Sequence, residues 1–587
     1  MNSDAYKYLR FNSAQETRWS TKEEIAQSSS FINLNSEDYS VGGLPLLSDG
    51  VQAYVDNADT HSLIFGATGS KKTRLFCMPM VNILAKAGES FIVTDPKGEI
   101  YAQTSGLAKE KGYKIVVLNF RDLGKGDMWN PLSIPYEMWC AGQRDDAGLL
   151  LSDFVSTIAD EQVKVTKDAF WPQAAQSVAI ANLYVLMEAA KKEEINLTSF
   201  TKLCSYGAVS QLKTLYKFLD EDSVPSLNYQ STVCLDANAT VSGIMSVLSS
   251  MLRVFILNNK LSLMLSENTF DIRMFGREKT AVYIIMPDEK TTYNFLITAF
   301  IKQVYEMLIT EAQKEKNRQL PVRVNFVLDE FCNIPKIPDM PSMISAARSR
   351  NMRFYLVAQS LHQLKRKYGE DADTIKGNCD NWVFLTSKEL ALLNEISELC
   401  GNITSSDGKS TRRLISVSEL QRLDKQKGEA LIMHTRQYPI ITEMADISNY
   451  KMFGIYDSIE IPPILKKEIQ AFSLTNLLEE IKNLTKLSPF ASEKHLHAQA
   501  KRIWKDEMKE YDKMTSSKKM FGKFVNSSND LQSNNSKDEK SADEEYALAK
   551  ERAIKRITKL ISKEYADKFI SEKLYEQPTD DDYDDIF

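Results

Sequence analysis

The residues with the clearest chemical potential form a glycine-containing loop near the start of the chain. Residues 61–74 have the sequence HSLIFGATGSKKTR, an apolar stretch followed by a variant of the loop G-x-x-x-x-G-K-[ST]. Backbone N–H groups of such a loop surround a nucleotide's phosphates at a helix N-terminus. We predict that Lys72 contacts the phosphates and that Thr73 binds Mg²⁺. The residues predicted to bind ATP are Gly66, Ala67, Thr68, Gly69, Ser70, Lys71, Lys72, Thr73 and Arg74.

Lys71 departs from the loop pattern, because it stands where the second glycine is expected. A glycine there often has a positive φ, a conformation that costs another residue about 1 kcal/mol or more. Two alternatives follow. Either nucleotide binding offsets that cost in a working ATPase, or Lys71 marks a loop with weakened or lost hydrolysis. The sequence favours retained nucleotide binding and leaves hydrolysis open.

A second motif supplies the carboxylates that a nucleotide site needs. The apolar run Val322–Leu328 is followed at once by Asp329 and Glu330, as in a Walker B motif. We predict that Asp329 holds a water of the Mg²⁺ shell and that Glu330 polarises the attacking water. One strand later, Gln359 is placed to sense the γ-phosphate. Alone, these residues also fit an acidic strand end and a loop glutamine; together with the phosphate-binding loop they favour an ATP site.

The elements that must position these residues indicate an α/β fold. Short apolar, β-branched runs alternate with helical stretches, which predicts βαβ units and a parallel sheet buried on both faces. The predicted strands are Leu63–Phe65, Ser90–Thr94, Tyr113–Asn119, Thr280–Met286, Val322–Leu328, Met352–Val357, Asn381–Thr386 and Gly428–His434.

The domain prediction follows from shifts in composition. Residues 145–273 are rich in helix formers and nearly free of strand signals, so we predict an all-helical domain inserted into the α/β domain. Residues 526–545 have the polar, aromatic-poor composition of a disordered linker. The predicted division is an N-terminal segment (1–50), the nucleotide-binding domain (51–144 and 274–460), the insertion (145–273), a helical extension (461–525), the linker (526–545), and an amphipathic helix with an acidic tail (546–587).

Bulk composition excludes several classes of protein. A net charge of −6 over 587 residues argues against bulk nucleic-acid binding but allows a local basic surface. The 7 cysteines are scattered without a C-x-x-C pair, and the 5 histidines lack ligand spacing. We therefore expect neither a disulfide framework nor a zinc site. We also expect no membrane span, because no uninterrupted apolar run approaches about 18 residues.

In order along the chain, these motifs resemble those of the type IV secretion coupling proteins, the TraG/TraD-like DNA-translocating ATPases of bacterial conjugation. The most specific matches are VTDPKGEI at 93–100 and the pair FVLDEF at 326–331 and VAQS at 357–360. Supporting matches are GATGSKKTR (66–74), GYKIVVLNF (112–120), MWNPL (128–132), TVSGIMSVL (240–248) and VYIIMPD (282–288).

The resemblance implies a RecA-like motor domain with an inserted helical domain, assembling as a hexamer around a DNA channel. It implies that Arg348 or Arg350 reaches the ATP site of a neighbouring subunit as an arginine finger. Residues 342–369 carry basic and no acidic side chains. Lys365, Arg366 and Lys367 are therefore candidates for contact with a DNA backbone, although a charged run is also typical of a solvated face.

The implied function is ATP-driven delivery of relaxase-bound single-stranded DNA to a type IV secretion channel. The expected partners are relaxase and relaxosome proteins, the channel proteins, and further copies of the chain. We expect a cytoplasmic location at the inner face of the membrane, through a segment outside this chain or through a partner. The alternatives are a non-hydrolysing adaptor with a degenerate loop and an FtsK/HerA-type DNA translocase; the DPKGE run and the helical insertion argue against the latter.

Overall fold

The computed structural model describes residues 17–486 apart from 166–167, 221, 405–410, 435 and 452. The chain divides into two compact units at the junction between Phe472 and Ser473. The predicted linker at 526–545 and the predicted helix and acidic tail at 546–587 lie outside the described residues, as do residues 1–16.

The first unit is built on β-strands that are numbered here in chain order. The strands are β1 Ser30–Asn33, β2 Leu44–Ser48, β3 Gln52–Asp56, β4 His61–Phe65, β5 Ser90–Asp95, β6 Lys114–Asn119, β7 Thr280–Ile285, β8 Val324–Leu328, β9 Met352–Ala358, β10 Cys379–Phe384, β11 Asn402–Thr404, β12 Thr411–Arg413, β13 Glu429–His434 and β14 Ile440–Glu443.

Among the described residues, a 9-stranded sheet has the order β14-β13-β10-β4-β9-β8-β5-β7-β6. The strands from β10 to β6 are parallel to one another. Every residue of β4, β5, β7, β8 and β9 is buried. Since successive side chains point to opposite faces, both faces of these central strands are covered. The α/β class and the parallel core predicted from sequence are confirmed.

The prediction of a parallel sheet is wrong for β13, which pairs antiparallel with β10. A parallel neighbour needs a crossover to the opposite end of the sheet. The chain that leaves the carboxyl end of β10 instead enters β13 at that same end of the sheet. β14 then adds a further antiparallel strand. Strand signals in the sequence carry no information on direction, so this edge could not be predicted.

Helices connect and cover the strands. The helices of the first unit are α1 Lys22–Ser28, α2 Met78–Ala87, α3 Glu99–Glu110, α4 Ser133–Cys140, α5 Arg144–Val165, α6 Phe170–Ala189, α7 Leu197–Leu203, α8 Val209–Tyr216, α9 Val224–Gln230, α10 Asn238–Leu257, α11 Asn259–Met264, α12 Asn294–Lys314, α13 Met340–Ala347, α14 Leu361–Tyr368, α15 Asp371–Asn378, α16 Leu390–Leu399 and α17 Val417–Leu420.

Between β6 and β7 the chain folds into helices and turns, and its described residues contain no strand. The helices α4 to α11 are called the helical insertion below. They belong to the same compact unit as the sheet. The predicted boundaries at 145 and 273 stay a prediction. The first helix after β6, α4, begins at Ser133.

Among the described residues, one helix, α10, has the length and composition to cross a membrane, with a mean hydropathy of 1.7. The sequence expectation overlooked it because serines, a glycine and Arg253 interrupt its apolar residues. Its inner face, which includes Val241, Ile244 and Leu248, is buried, and the helix packs against α6. One face of α10 is therefore covered by the helical insertion, and 39% of its most apolar stretch is buried.

The extension predicted to be helical from residue 461 begins as an extended segment in the first unit. Ile464 N–H donates to the Gly124 carbonyl at 2.8 Å, and Asn196 Nδ2 donates to the Gln470 carbonyl at 2.7 Å. This segment therefore joins the loop after β6 to the helical insertion. In the second unit, the helix α18 spans Leu474–Lys486.

His61, at the start of β4, is fully buried. Its Nδ1 accepts the Phe354 N–H at 3.0 Å, so its Nε2 carries the proton and donates to the Ile344 carbonyl at 2.7 Å. Burial lowers the pKa of His61 to about 3 because the charged ring would lose its hydration. The strand that leads to the phosphate-binding loop is thus fixed by a neutral imidazole.

This burial predicts a pH-dependent stability. The unfolded chain has a histidine pKa near 6.5, so His61 stabilises the fold fully above about pH 6.5 and loses this effect as the pH falls towards 3. His61→Gln cannot take up a proton. Relative to this variant, the wild-type free energy of unfolding should fall by about 1.4 kcal/mol per pH unit between about pH 6 and 4. Urea unfolding at several pH values measures it; parallel curves for both proteins would contradict the assignment.

Candidate functional site

The phosphate-binding loop leaves the carboxyl end of β4, between β9 and β10 in the sheet. Lys72 is 6% exposed, and its Nζ donates to the Gly66 carbonyl at 2.7 Å. Gly66 has no room for a side chain, because an added Cβ would lie 2.4 Å from Ser70 Oγ and 2.8 Å from Lys72 Cγ. The loop backbone therefore packs closely against the Lys72 side chain.

Lys71 adopts the conformation of the glycine that it replaces, with φ at 65°, and Gly69 has φ at 77°. The carbonyl of Lys71 accepts the Leu75 N–H at 2.9 Å, so the helical turn begins in register. The Lys71 ammonium lies 3.5 Å from Gln426 Oε1, whereas the Lys72 ammonium lies inside the loop. The substitution thus changes the side chain at the rim and keeps the backbone geometry.

The loop fits a phosphate group and a divalent cation. Ser70 Oγ is buried and, among the described residues, lacks a hydrogen-bond partner. Thr73 Oγ1 donates to Asp329 Oδ2 at 2.8 Å, and a hydroxyl beside a carboxylate is the donor set that Mg²⁺ prefers. The residues present therefore suit ATP and Mg²⁺.

Asp329 follows β8 and is 3% exposed. Burial, with the neighbouring Glu330 carboxylate, raises the pKa of Asp329 to about 6. Its backbone carbonyl accepts Thr94 Oγ1 at 2.7 Å, which fixes the end of β8 to the end of β5. Asp95, the last residue of β5, is also buried, and burial raises its pKa to about 6. The sequence predictions gave Asp95 no role, although an acidic residue at the carboxyl end of a parallel strand is a signal for such a site.

Glu330 turns back towards the loop because its backbone is in the left-handed region, with φ at 54°. Its Oε1 lies 3.7 Å from Lys72 Nζ, and its Oε2 accepts Gln359 Nε2 at 2.7 Å. Thr68 Oγ1 in turn donates to Gln359 Oε1 at 3.3 Å. The phosphate-binding loop, the acidic strand end and the glutamine are therefore one connected polar group.

Other predicted residues lie elsewhere or have other contacts. Arg348 and Arg350 precede β9, whereas Gln359 follows it. Because β9 has 7 residues, the two arginines lie about 20 Å from Gln359, at the opposite end of the strand. Arg348 pairs with Asp380 at 2.6 Å, and Arg350 Nη1 donates to the Ala346 carbonyl at 2.8 Å. Neither arginine belongs to the site of its own chain.

Arg74 is bound to a carboxylate instead of facing the loop interior. Its Nε and Nη2 donate to the two oxygens of Asp446 at 2.9 and 2.5 Å. The sequence could not predict this pair, because 372 residues separate its members. It fixes the segment after β14 to the first turn beyond the phosphate-binding loop.

The basic residues predicted to contact DNA lie on α14, which begins two residues after Gln359. Lys365 and Arg366 are exposed on this helix. Arg353, from the same basic run, is instead buried in the core and pairs with Glu89. The basic surface is therefore smaller than the run of sequence suggested.

The fold and the site define a RecA-like P-loop protein: a parallel sheet with a phosphate-binding loop after one strand and an acid pair after another. The chain belongs to the family described as "Type IV secretory system Conjugative DNA transfer", which it matches over residues 10–434. The family predicted from the sequence motifs is confirmed.

Individual relatives agree with this assignment. Two proteins named "Conjugal transfer protein TraG" from Escherichia coli are 22% and 23% identical over 59% of this chain. The alignments cover 56% and 55% of those proteins, so the chain spans about half their length. The plasmid coupling protein TrwB in complex with the ATP analogue ADPNP has a TM-score of 0.55 and 14% identity, covering 77% of this chain and 97% of that one. TrwB in complex with ADP and Mg²⁺ has a TM-score of 0.52 and 14% identity, covering 73% and 93%. At this identity the likeness shows the fold.

The positive φ of Lys71 predicts a difference between two truncations. Lys71→Gly and Lys71→Ala both remove the side chain, but only glycine adopts this φ without strain. We expect Lys71→Gly to exceed Lys71→Ala in free energy of unfolding by about 1 kcal/mol. Chemical denaturation of both variants without nucleotide measures this difference. Equal stabilities would show that Lys71 is not strained.

Proposed function

We propose that this chain binds ATP with Mg²⁺, hydrolyses it, and uses the cycle to deliver single-stranded DNA to a type IV secretion channel. The observation that carries the proposal is the hydrogen-bonded connection between the phosphate-binding loop, Glu330 and Gln359 in a member of a conjugative-transfer family. The TrwB complexes with ADPNP and with ADP and Mg²⁺ support the choice of nucleotide and metal.

Each residue of the site has a distinct part in this reaction. Lys72, which is buried beside the Gly66 carbonyl, binds phosphate oxygens, and the loop N–H groups bind the others. Thr73 and Asp329 hold Mg²⁺, which neutralises phosphate charge when bound. Glu330 orients and polarises the attacking water. Gln359 contacts both the loop and Glu330. A γ-phosphate bound beside Gln359 therefore influences the position of the Glu330 carboxylate.

Lys71 is compatible with hydrolysis in this proposal. The backbone that would surround the phosphates is retained, and the Lys71 ammonium lies at the rim, beside Gln426. The alternative of a non-hydrolysing adaptor therefore gains no support from Lys71. The match to a conjugative-transfer family argues against an FtsK/HerA-type translocase.

In this proposal, assembly into a ring brings an arginine to each ATP site. Arg348 and Arg350 are at the far edge of the sheet from their own site, so we assign them to the site of a neighbouring copy in a ring, with six copies expected. An arginine there stabilises the charge of the transferring phosphoryl group. Relaxase-bound DNA, secretion-channel proteins and the cytoplasmic face of the membrane are the expected surroundings of this ring.

The proposed DNA contact is the basic end of α14. The helix begins where Glu389 accepts the Leu361 and His362 N–H groups at 2.8 and 2.9 Å. Lys365, Arg366 and Lys367 lie in its last turn, where they suit the phosphates of a single strand. Since only Ser360 separates Gln359 from α14, we expect a displacement of Gln359 to be transmitted to this surface.

The nucleotide assignment predicts different defects for two variants. Lys72→Ala removes a charged donor and should weaken ATP binding at least about tenfold, measured by titration calorimetry with Mg²⁺. Arg348→Ala leaves the loop intact and should bind ATP as the wild type does, yet lose turnover in the assembled ring. Circular dichroism checks that both variants fold. Normal DNA transfer between cells by the Lys72→Ala protein would contradict the proposal.

A further inference from the structure

Glu330 accepts a second hydrogen bond from a residue outside the sequence motifs. Asn333 Nδ2 donates to Glu330 Oε2 at 3.0 Å, the same oxygen that accepts Gln359 Nε2 at 2.7 Å. Two amides therefore converge on one oxygen, and the other oxygen faces Lys72. This arrangement fixes the rotation of the carboxylate about its last bond.

Asn333 is held in place by its own backbone. It ends the 3₁₀ turn Phe331–Asn333, and its N–H donates to the Glu330 carbonyl at 2.8 Å. Its carbonyl accepts Asn294 Nδ2 at 3.0 Å. Asn294 is 3% exposed and is the first residue of α12. The position of Asn333 is thus set by a buried amide on a neighbouring helix, while its own side chain is exposed.

The contacts continue from α12 to the helical insertion. Tyr293 immediately precedes Asn294, and its hydroxyl accepts Asn258 Nδ2 at 3.0 Å. Asn258 joins α10 to α11 and caps α11 by accepting the Leu261 N–H at 3.2 Å on Oδ1. The insertion is therefore connected to Glu330 by three hydrogen bonds and by the peptide bond between Tyr293 and Asn294.

We propose that Asn333 is a positioning residue for Glu330 and that Asn258, Tyr293 and Asn294 make this positioning depend on the helical insertion. The inference rests on the proposed ATP hydrolysis. A carboxylate that polarises water must present one oxygen in a defined direction. Asn333 and Gln359 anchor Oε2, which leaves Oε1 on the side of Lys72 and the phosphate-binding loop.

The first test separates positioning from binding. Asn333→Ala should lower kcat about 10- to 100-fold, the factor for loss of one hydrogen bond to a charged group, and leave KM for ATP unchanged. Asn333→Gln keeps an amide and should restore part of kcat. The matched control is Asn228→Ala in α9, whose side chain donates to the Val224 carbonyl at 2.8 Å away from the site; it should turn over ATP as the wild type does. Unchanged kcat in Asn333→Ala, or a change in KM alone, overturns the assignment.

The second test addresses the connection to the insertion. Tyr293→Phe keeps the ring and removes the hydroxyl that accepts Asn258 Nδ2, while Asn258 still caps α11. It should lower kcat about threefold or more, and in the Asn333→Ala background it should have no additional effect, because both changes act through one residue. Multiplying effects in the double variant would overturn the connection.

Turnover by the wild type separates a failure of the proposed function from a failure of this inference alone. Absence of turnover in the wild type, or turnover that survives Lys72→Ala, overturns the proposed function and this inference with it. Wild-type turnover that needs Lys72 but is indifferent to Asn333 overturns the inference alone.

Discussion

The structure depends on the burial of Lys72 and Asp329 at the carboxyl edge of a parallel sheet, beside the half-buried Glu330. Charges with so little exposure are tolerated only when they are paired and hydrogen-bonded. Lys72 is close to Glu330, and Asp329 accepts Thr73. The tight loop at Gly66 and the positive φ values of Lys71 and Glu330 are the backbone conformations that bring these groups together.

The sequence predicted the groups that lie close together along the chain, because their geometry is local. The loop at 66–74 and the pair Asp329 and Glu330 each follow a strand, and parallel strands bring their carboxyl ends to one edge. Features set by distant contacts were not predictable. The pairing of Arg74 with Asp446, the direction of β13 and the amide of Asn333 on Glu330 depend on how remote segments pack.

Three regions of the structure have different parts in the proposed function. The sheet edge holds the nucleotide residues, α14 carries the basic surface directly after Gln359, and the helical insertion reaches Glu330 through α12. Arg348 stands at the opposite sheet edge, paired with Asp380. Under the proposed assignment of this arginine to the site of a neighbouring copy, hydrolysis would require assembly.

The most direct test of the proposed function is ATP turnover by the purified chain with and without single-stranded DNA, beside Glu330→Gln. We predict that DNA raises turnover in the wild type, and that Glu330→Gln still binds ATP but hydrolyses it at least about 100-fold more slowly. Turnover in Glu330→Gln equal to that of the wild type, or a wild type that never hydrolyses ATP, would contradict it.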